Sequence, residues 1–383
     1  MKNALALSIS KDRVIVYGSV LAILASLPFI MFPSWFHDVA YRGDFANFWS
    51  AGATVGTSAL LNYAKLGAWQ TAHGITPQIF VYPPAFAWLY APLSHLAPMH
   101  AMIVADVCAL ALFGLAALLA ARIYGVPRWL ALAAVFAWGP TMNAWEVGQN
   151  TALALTLIFA AIFYIQRGGT TPAALLIGLL LYKPSVALPF VVLLFLRREW
   201  RMLCIVAACA LIWYVAGAFS AGGNWLWPET SARLVAQVSR GEFAGNAYKA
   251  YTLPTLLLAA GAPTLIAYAA AVGLFVAAAP LLARDRALAA WSIVPAIGVA
   301  TSIHSWPYEA ALLLPAVFYA MRRLESPLRE QVLVFAYAVA ALALVVPYAG
   351  HALGILAIGA AGWWVAAGYW KGARYAYRPA DAR

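Results

Sequence analysis

Asp44 is the residue whose type and position most directly suggest chemistry. It lies in the segment 41–48 (Tyr-Arg-Gly-Asp-Phe-Ala-Asn-Phe), shortly after the first long apolar run, residues 14–32. A carboxylate beside a membrane span is either solvated or used, since a charge is costly at membrane depth. An aromatic turn, Tyr82-Pro83-Pro84, follows on the same loop. Together these residues indicate chemistry at a membrane surface.

Further polar residues recur at one predicted level, the outer ends of the apolar runs. Ionisable residues at that depth usually face a cavity or a partner. So many at one level predict a polar chamber that opens outward. They are Asp44, Asn47, Tyr82, Asp106, Asn143, Glu146, Gln149, Asn150, Lys183, Lys249, His304, Tyr308 and Glu309.

The elements that must position these residues are membrane helices. The chain of 383 residues is 65% hydrophobic and 10% charged, so most of it cannot face water. Its apolar runs match the length of about 20 residues that a helix needs to cross a bilayer. A backbone in lipid must satisfy its own hydrogen bonds, which favours an all-α polytopic membrane protein. The run 14–32 is too long for a signal peptide and is interpreted as an uncleaved first span.

We predict about twelve spans, with interfacial helices in the first outer loop. Their predicted ranges are 14–32, 99–121, 129–143, 149–166, 171–183, 186–196, 202–221, 264–283, 287–303, 308–321, 328–346 and 351–370. The outer loops 33–98 and 222–261 are the long ones, and residues 85–96 are predicted to form an amphipathic helix at the interface. We treat residues 1–383 as one integral-membrane domain.

The basic residues set the orientation, because Lys and Arg accumulate on cytoplasmic loops. With both termini cytoplasmic, the outer side keeps only six of the 24 Lys and Arg residues, and the inner side holds the rest. The six are Arg42, Lys65, Lys183, Arg233, Arg240 and Lys249. The predicted site therefore lies on the periplasmic or extracellular face of the inner or plasma membrane. The Lys and Arg residues of the cytoplasmic loops explain the net charge of +11, so nucleic acid is not an expected partner.

The same rule predicts a break inside the apolar stretch 173–196. Arg167 precedes the stretch and Arg197-Arg198 follow it, so both of its ends lie on the inner side. Two short helices that meet at Lys183-Pro184 would return the chain to the inner side. Proline favours a break there, because it cannot continue a helix smoothly.

Several short motifs, in this order along the chain, resemble glycosyltransferase family 87, whose members have the GT-C fold. They are Gly43-Asp44-Phe45, Tyr82-Pro83-Pro84, Gly148-Gln149-Asn150, Lys183-Pro184 and His304-Ser305-Trp306-Pro307-Tyr308. The resemblance runs from about Val14 to Val346. It implies transfer of a sugar, with mannose the family's best-known one, from a polyprenyl-phosphate carrier to a hydroxyl of a lipid or glycan acceptor.

The resemblance also assigns roles to residues. Asp44 matches the essential acidic residue of the first outer loop and would act as general base in an inverting displacement. A turn or helix-capping aspartate is the structural alternative. Cations would meet the lipid phosphate, and Lys183 is the leading candidate, although a snorkelling lysine is the alternative. The other expected phosphate- or sugar-binding residues are His304, Arg42, Tyr82, Gln149, Asn150 and Lys249, with Glu146 and Glu309 as reserve carboxylates.

The sequence has no metal-ligand spacing, Walker loop or dinucleotide fingerprint, so neither a metal nor another cofactor is expected. Besides the donor and acceptor, membrane lipids are the expected partners. Three alternatives remain open. A polytopic transporter or lipid flippase would also use broken helices around a polar chamber. An O-antigen ligase or polymerase-like enzyme would use a pyrophosphate carrier. A noncatalytic scaffold leaves Asp44 and Lys183 without a role.

Overall fold

The three-dimensional structure is a computed structural model. It describes residues 43–234, 236, 251–284, 288–302, 306–322, 336–340, 354 and 358. The predicted spans 14–32, 328–346 and 351–370 lie wholly or mostly outside these residues. The predicted single domain of residues 1–383 is likewise described only over these ranges.

The described residues form helices joined by short turns, with no strand among them. The α-helices are α1 (Gly43–Thr54), α2 (Tyr63–Ala72), α3 (Pro98–Tyr124), α4 (Arg128–Phe136), α5 (Gly139–Glu146), α6 (Thr151–Gln166), α7 (Thr170–Leu179), α8 (Pro184–Leu196), α9 (Trp200–Ser220), α10 (Leu253–Ala259), α11 (Thr264–Arg284), α12 (Leu288–Thr301) and α13 (Leu314–Arg322). Short 3-10 helices cover Pro84–Leu89, Leu93–His95, Leu180–Tyr182 and Pro307–Leu313.

Three of the described helices, α3, α9 and α11, are long and apolar enough to cross a membrane. Their side chains are largely exposed, as expected where lipid replaces protein as the neighbour of an apolar surface. Shorter apolar helices pack against them. Helix α6 contacts α3, α8 contacts α9 and α11, and α12 contacts α11. The chain is therefore an all-α membrane protein, and the number of about twelve spans stays a prediction.

The predicted break at Lys183-Pro184 is confirmed. Helix α7 tightens into the 3-10 turn Leu180–Tyr182, and α8 begins at Pro184. Proline suits the first helical position because its missing N–H would have no partner there. Lys183 therefore occupies the junction between two helices, with backbone angles (φ −124°, ψ 79°) outside the helical region.

The predicted span 129–143 is wrong as a single helix. The chain forms α4 and α5, with a break at Ala137 and Trp138 before Pro140 in the first turn of α5. The break buries Trp138, whose indole N–H donates to the Ala310 carbonyl at 2.9 Å. This bond ties α5 to the 3-10 helix Pro307–Leu313, which carries two of the polar residues singled out above.

The predicted amphipathic helix 85–96 is also wrong. Two 3-10 helices take its place, Pro84–Leu89 and Leu93–His95, because Pro92 between them lacks the N–H that a continuous helix would need. In contrast, α1 and α2 do form helices in the first predicted outer loop.

An aromatic cluster joins that loop to the α7–α8 break. The Phe86 ring stacks on Tyr182 with centroids 4.3 Å apart, and Phe48 stacks on Tyr90 at 4.8 Å. Offset aromatic pairs of this kind add about 0.5–1.5 kcal/mol beyond the area they bury. The cluster therefore fixes α1 and the turn at Tyr82 relative to Lys183.

Candidate functional site

A cavity of about 1320 Å³ lies between the first loop, α8, α11, α12 and the 3-10 helix Pro307–Leu313. It exceeds the roughly 300–1,000 Å³ of an ordinary small-molecule pocket. Its polar lining includes Asp44, Asn47, Tyr82, Gln149, Lys183, Tyr308 and Glu309, and its apolar lining includes Leu188, Val192, Val272 and Phe275. The cavity is thus amphipathic, with room for more than one sugar ring.

Asp44 lies in the first turn of α1, half-buried, and lines the cavity. Two contacts hold this end of α1. The Phe45 backbone N–H donates to the Val147 carbonyl at 3.1 Å, and Asn47 Nδ2 donates to the Ile79 carbonyl at 3.0 Å. The pKa of the Tyr82 phenol is raised above its ordinary value, chiefly by burial. The nearby Lys183 charge opposes this shift, whereas the charges of Glu309 and Asp44 add to it. Tyr82 is therefore neutral and keeps its proton.

Gly148 makes the close approach of α1 to the turn before α6 feasible. Its φ of +72° lies in the left-handed region, where a side chain is strained. In addition, a Cβ on Gly148 would overlap with Phe45, the neighbour of Asp44. Glycine is needed here for both its backbone conformation and its lack of a side chain.

We expect Gly148→Ala to displace Asp44 and to reduce stability. Gly125→Ala is the matched control, because Gly125 has nearly the same φ of +71° and no atom within 4 Å of an added Cβ. The control should cost only the left-handed penalty of about 1–2 kcal/mol. Thermal unfolding in detergent and transfer activity should both fall further in Gly148→Ala. Equal losses in the two variants would show that the contact with Phe45 carries no weight.

Lys183 and Glu309 form a buried ion pair on the cavity wall. Lys183 Nζ lies 2.9 Å from Glu309 Oε1, and the two side chains are only 4% and 8% exposed. The ammonium also lies 5.8 Å from the centroid of the Tyr308 ring, within reach of a cation–π interaction. The lysine is thus held at the cavity rather than extended to a membrane surface, which contradicts the snorkelling alternative.

Gln149 connects two walls of the cavity. Its Oε1 accepts from the Tyr82 hydroxyl at 3.1 Å, and its Nε2 donates to the Tyr308 hydroxyl at 3.0 Å. The structure therefore brings Asp44, Tyr82, Gln149, Lys183 and Glu309 to one cavity. That this cavity opens on the outer side of the membrane stays a prediction.

Two of the predicted site residues do not line the cavity. Asn150 is buried beneath it, where its carbonyl accepts from the Tyr182 hydroxyl at 3.0 Å and its side chain lies next to Tyr82. It makes no side-chain cap to α6. Glu146 lies at the end of α5, where Asn143 Nδ2 donates to it at 3.1 Å. The predicted cations Arg42, Lys249 and His304 lie outside the described residues.

Several cavity residues were not singled out from the sequence, among them Gln78, Ser185, Tyr268 and Ser302. Ser185 could have been predicted from the sequence, because it follows the predicted break at Lys183-Pro184. Gln78 gives no signal, since its position depends on its backbone N–H donating to Gln70 Oε1 at 2.7 Å. Among the described residues, no group of three or more His, Cys, Asp or Glu side chains forms a cluster that could hold a metal ion.

Comparison with known families gives one match. The model of glycosyltransferase family 87 matches residues 80–302, more than half of the chain, which confirms the resemblance seen in the short motifs. No curated protein matches the sequence. The matched range contains the turn at Tyr82, Gly148-Gln149 and the Lys183 junction, whereas Asp44 and Glu309 lie outside it but line the same cavity. The chain therefore belongs to glycosyltransferase family 87 and is a membrane glycosyltransferase.

Proposed function

We propose that the cavity binds a polyprenyl-phosphate-linked sugar and transfers the sugar to a hydroxyl of a lipid or glycan acceptor. The observation that carries this proposal is the presence, in one cavity, of a carboxylate, a buried ammonium and an apolar wall. Each part of such a donor and of the attacking hydroxyl then has a chemically suited neighbour.

The apolar wall supports a lipid carrier. Leu188 on α8 and Val272 on α11 line the cavity and are 59% and 62% exposed. In a membrane, side chains in this position border the hydrocarbon, because α11 is long and apolar enough to span it. An isoprenoid chain can therefore lie against α8 and α11 while its phosphate reaches the polar end of the cavity.

The polar end supports a direct displacement. Asp44 would accept the proton of the acceptor hydroxyl while that oxygen attacks the sugar carbon, and Lys183 would stabilise the phosphate that leaves. Glu309 is already paired with Lys183 at 2.9 Å, so it is a poor nucleophile for a covalent intermediate. A single displacement inverts the configuration at the sugar carbon.

The remaining parts of the proposal rest on the sequence. Mannose is proposed as the sugar because it is the best-known one of the family. The distribution of Lys and Arg supports a site on the periplasmic or extracellular face, with both termini in the cytoplasm. We also propose that the chain forms one integral-membrane domain of the GT-C type. In this domain, Arg42, Lys249 and His304 would lie near the donor.

Donor competition tests this function. The purified protein in lipid nanodiscs should transfer labelled mannose from a polyprenyl monophosphate and not from a polyprenyl pyrophosphate or a nucleotide sugar. Among the described residues that line the cavity, Lys183 is the only lysine or arginine, and its charge is paired with that of Glu309. Equal or faster transfer from the pyrophosphate would favour the ligase-like alternative, and use of a nucleotide sugar would refute a lipid carrier.

A further inference from the structure

The apolar wall of the cavity forms a groove whose depth can be measured along α8. This apolar groove is the part of the cavity lined by α8, α11 and α12, and its residues include Leu188, Val192, Val272 and Phe275. Val192 is the last residue of α8 that lines it, nine positions after Lys183. At about 1.5 Å per helical residue, these two positions lie about 13 Å apart along the helix axis.

The three helices of the groove are tied together at the end away from Lys183. Arg197, which follows the last residue of α8, donates from Nε and Nη2 to the Leu282 carbonyl of α11, at 3.2 and 2.8 Å. Its guanidinium carbon also lies 4.7 Å from the centroid of the Trp291 ring in the first turn of α12. The end of α8, the end of α11 and the start of α12 therefore meet.

Buried side chains close the groove at this end. The ring of Phe190 on α8 stacks on that of Trp291 with centroids 6.5 Å apart, and both residues are buried. Ala278 on α11 is buried as well. These three residues do not line the cavity, so they form a floor below the level of Val192.

The depth of the groove corresponds to a few isoprene units. An extended polypeptide has three backbone bonds per residue and advances about 1.2 Å per bond. By the same measure, an isoprene unit with its four backbone bonds covers about 5 Å. The 13 Å between the phosphate end at Lys183 and the level of Val192 therefore holds about three units.

The rest of a longer carrier has to leave the groove sideways, because the floor is closed. Leu188 and Val272 mark this side, since both line the cavity and both are exposed. A chain that leaves there continues among lipid tails. These tails are as apolar as leucine side chains, so they do not favour one carrier length over another.

We propose that the enzyme recognises only about the first three isoprene units of its carrier, and that Val192 sets this limit. The inference rests on the function proposed above and deepens it. The donor class is then defined by the beginning of the chain. Any polyprenol that fills the groove down to Val192 serves equally well, whatever its total length.

The test measures transfer of labelled mannose from geranyl, farnesyl and decaprenyl phosphate, which carry two, three and ten isoprene units. The wild-type protein is reconstituted in nanodiscs. The donors are compared at equal mole fraction in the membrane, because shorter chains enter it less readily. For farnesyl, kcat/KM should lie within about threefold of the decaprenyl value. For geranyl, it should be lower by about tenfold or more, because an unfilled space costs free energy as a cavity does.

Val192→Trp tests the position of the limit. The larger side chain fills the deep end of the groove, so the farnesyl and decaprenyl donors should lose about tenfold or more in kcat/KM. The advantage of farnesyl over geranyl should disappear. This advantage is a ratio of two donors on one preparation, so a general loss of stability does not change it.

Val276→Trp is the matched control. Val276 lies on α11 and is 60% exposed, but it does not line the cavity. The control variant should therefore keep the wild-type preference for farnesyl over geranyl. Thermal unfolding of both variants shows that they are compared as folded proteins.

Three results would overturn the inference. A decaprenyl donor that exceeds the farnesyl donor by more than about threefold would show that recognition extends beyond the floor. A geranyl donor as good as the farnesyl donor would show that the carrier does not occupy the groove. A wild-type donor preference in Val192→Trp would place the limit elsewhere. If the wild-type protein transfers mannose from none of the three donors, the proposed function itself fails.

Discussion

Asp44→Asn should lower the rate of transfer by about 10²- to 10⁴-fold, the usual contribution of a positioned general base. The substitution keeps the size and shape of the side chain but removes its ability to accept a proton. Since α1 is held by the Phe45 and Asn47 bonds, which do not involve the carboxylate, the fold should survive. Steady-state kinetics with saturating donor, together with thermal unfolding of the same preparations, measures both quantities.

Glu146→Gln is the matched control for this result. Glu146 is also a half-buried carboxylate, close to the same turn, but it does not line the cavity. Its variant should keep transfer within about threefold of wild type, the range expected when no interaction of the transition state is lost. Full activity of Asp44→Asn would remove Asp44 as the base and leave the helix-terminal aspartate as its structural explanation.

Lys183→Met should have the second-largest effect, on stability as well as on donor binding. Removing one partner of a buried ion pair costs about 3–5 kcal/mol, because the other charge stays buried without compensation. Here the charge left behind is Glu309, 8% exposed. We expect a lower unfolding temperature in detergent and weaker binding of the polyprenyl-phosphate donor.

The double variant Lys183→Met/Glu309→Gln separates these two effects. With both charges gone, the desolvation penalty disappears and the unfolding temperature should return close to that of wild type. Donor binding should stay weak, because no ammonium meets the phosphate. Recovery of donor affinity in the double variant would mean that Lys183 serves the fold alone.

Helices could be predicted where contact with lipid requires a long run of apolar residues. The long run at α3 and the paired short helices around Lys183 follow from apolar length, the positions of arginine and one proline. The split of 129–143 and the loss of the 85–96 helix did not follow. Both depend on a local contact, such as the Trp138 bond to Ala310, that a pattern of apolar residues does not contain.

The sequence predicted the membrane depth at which the polar site residues lie, but not which of these residues contact one another. Charge asymmetry placed the polar residues at one end of the spans, but their convergence depends on how the helices pack. Gln149 and Asn150 illustrate the difference, because adjacent positions at the start of a helix point in different directions. Gln149 reaches the cavity, whereas Asn150 is turned beneath it. The ion pair of Lys183 and Glu309 joins segments that no sequence spacing relates.

The Gln149 bridge also has a consequence for the synthesis of the protein. Its first partner, Tyr82, precedes it by 67 residues, but its second, Tyr308, follows 159 residues later. At a translation rate of about 5–20 residues per second, the ribosome needs roughly 8 to 32 seconds to cover that interval. Lys183 also leaves the ribosome long before Glu309. The ammonium of Lys183 and one half of the Gln149 amide therefore stay without these native partners until the segment that carries Tyr308 and Glu309 has been made.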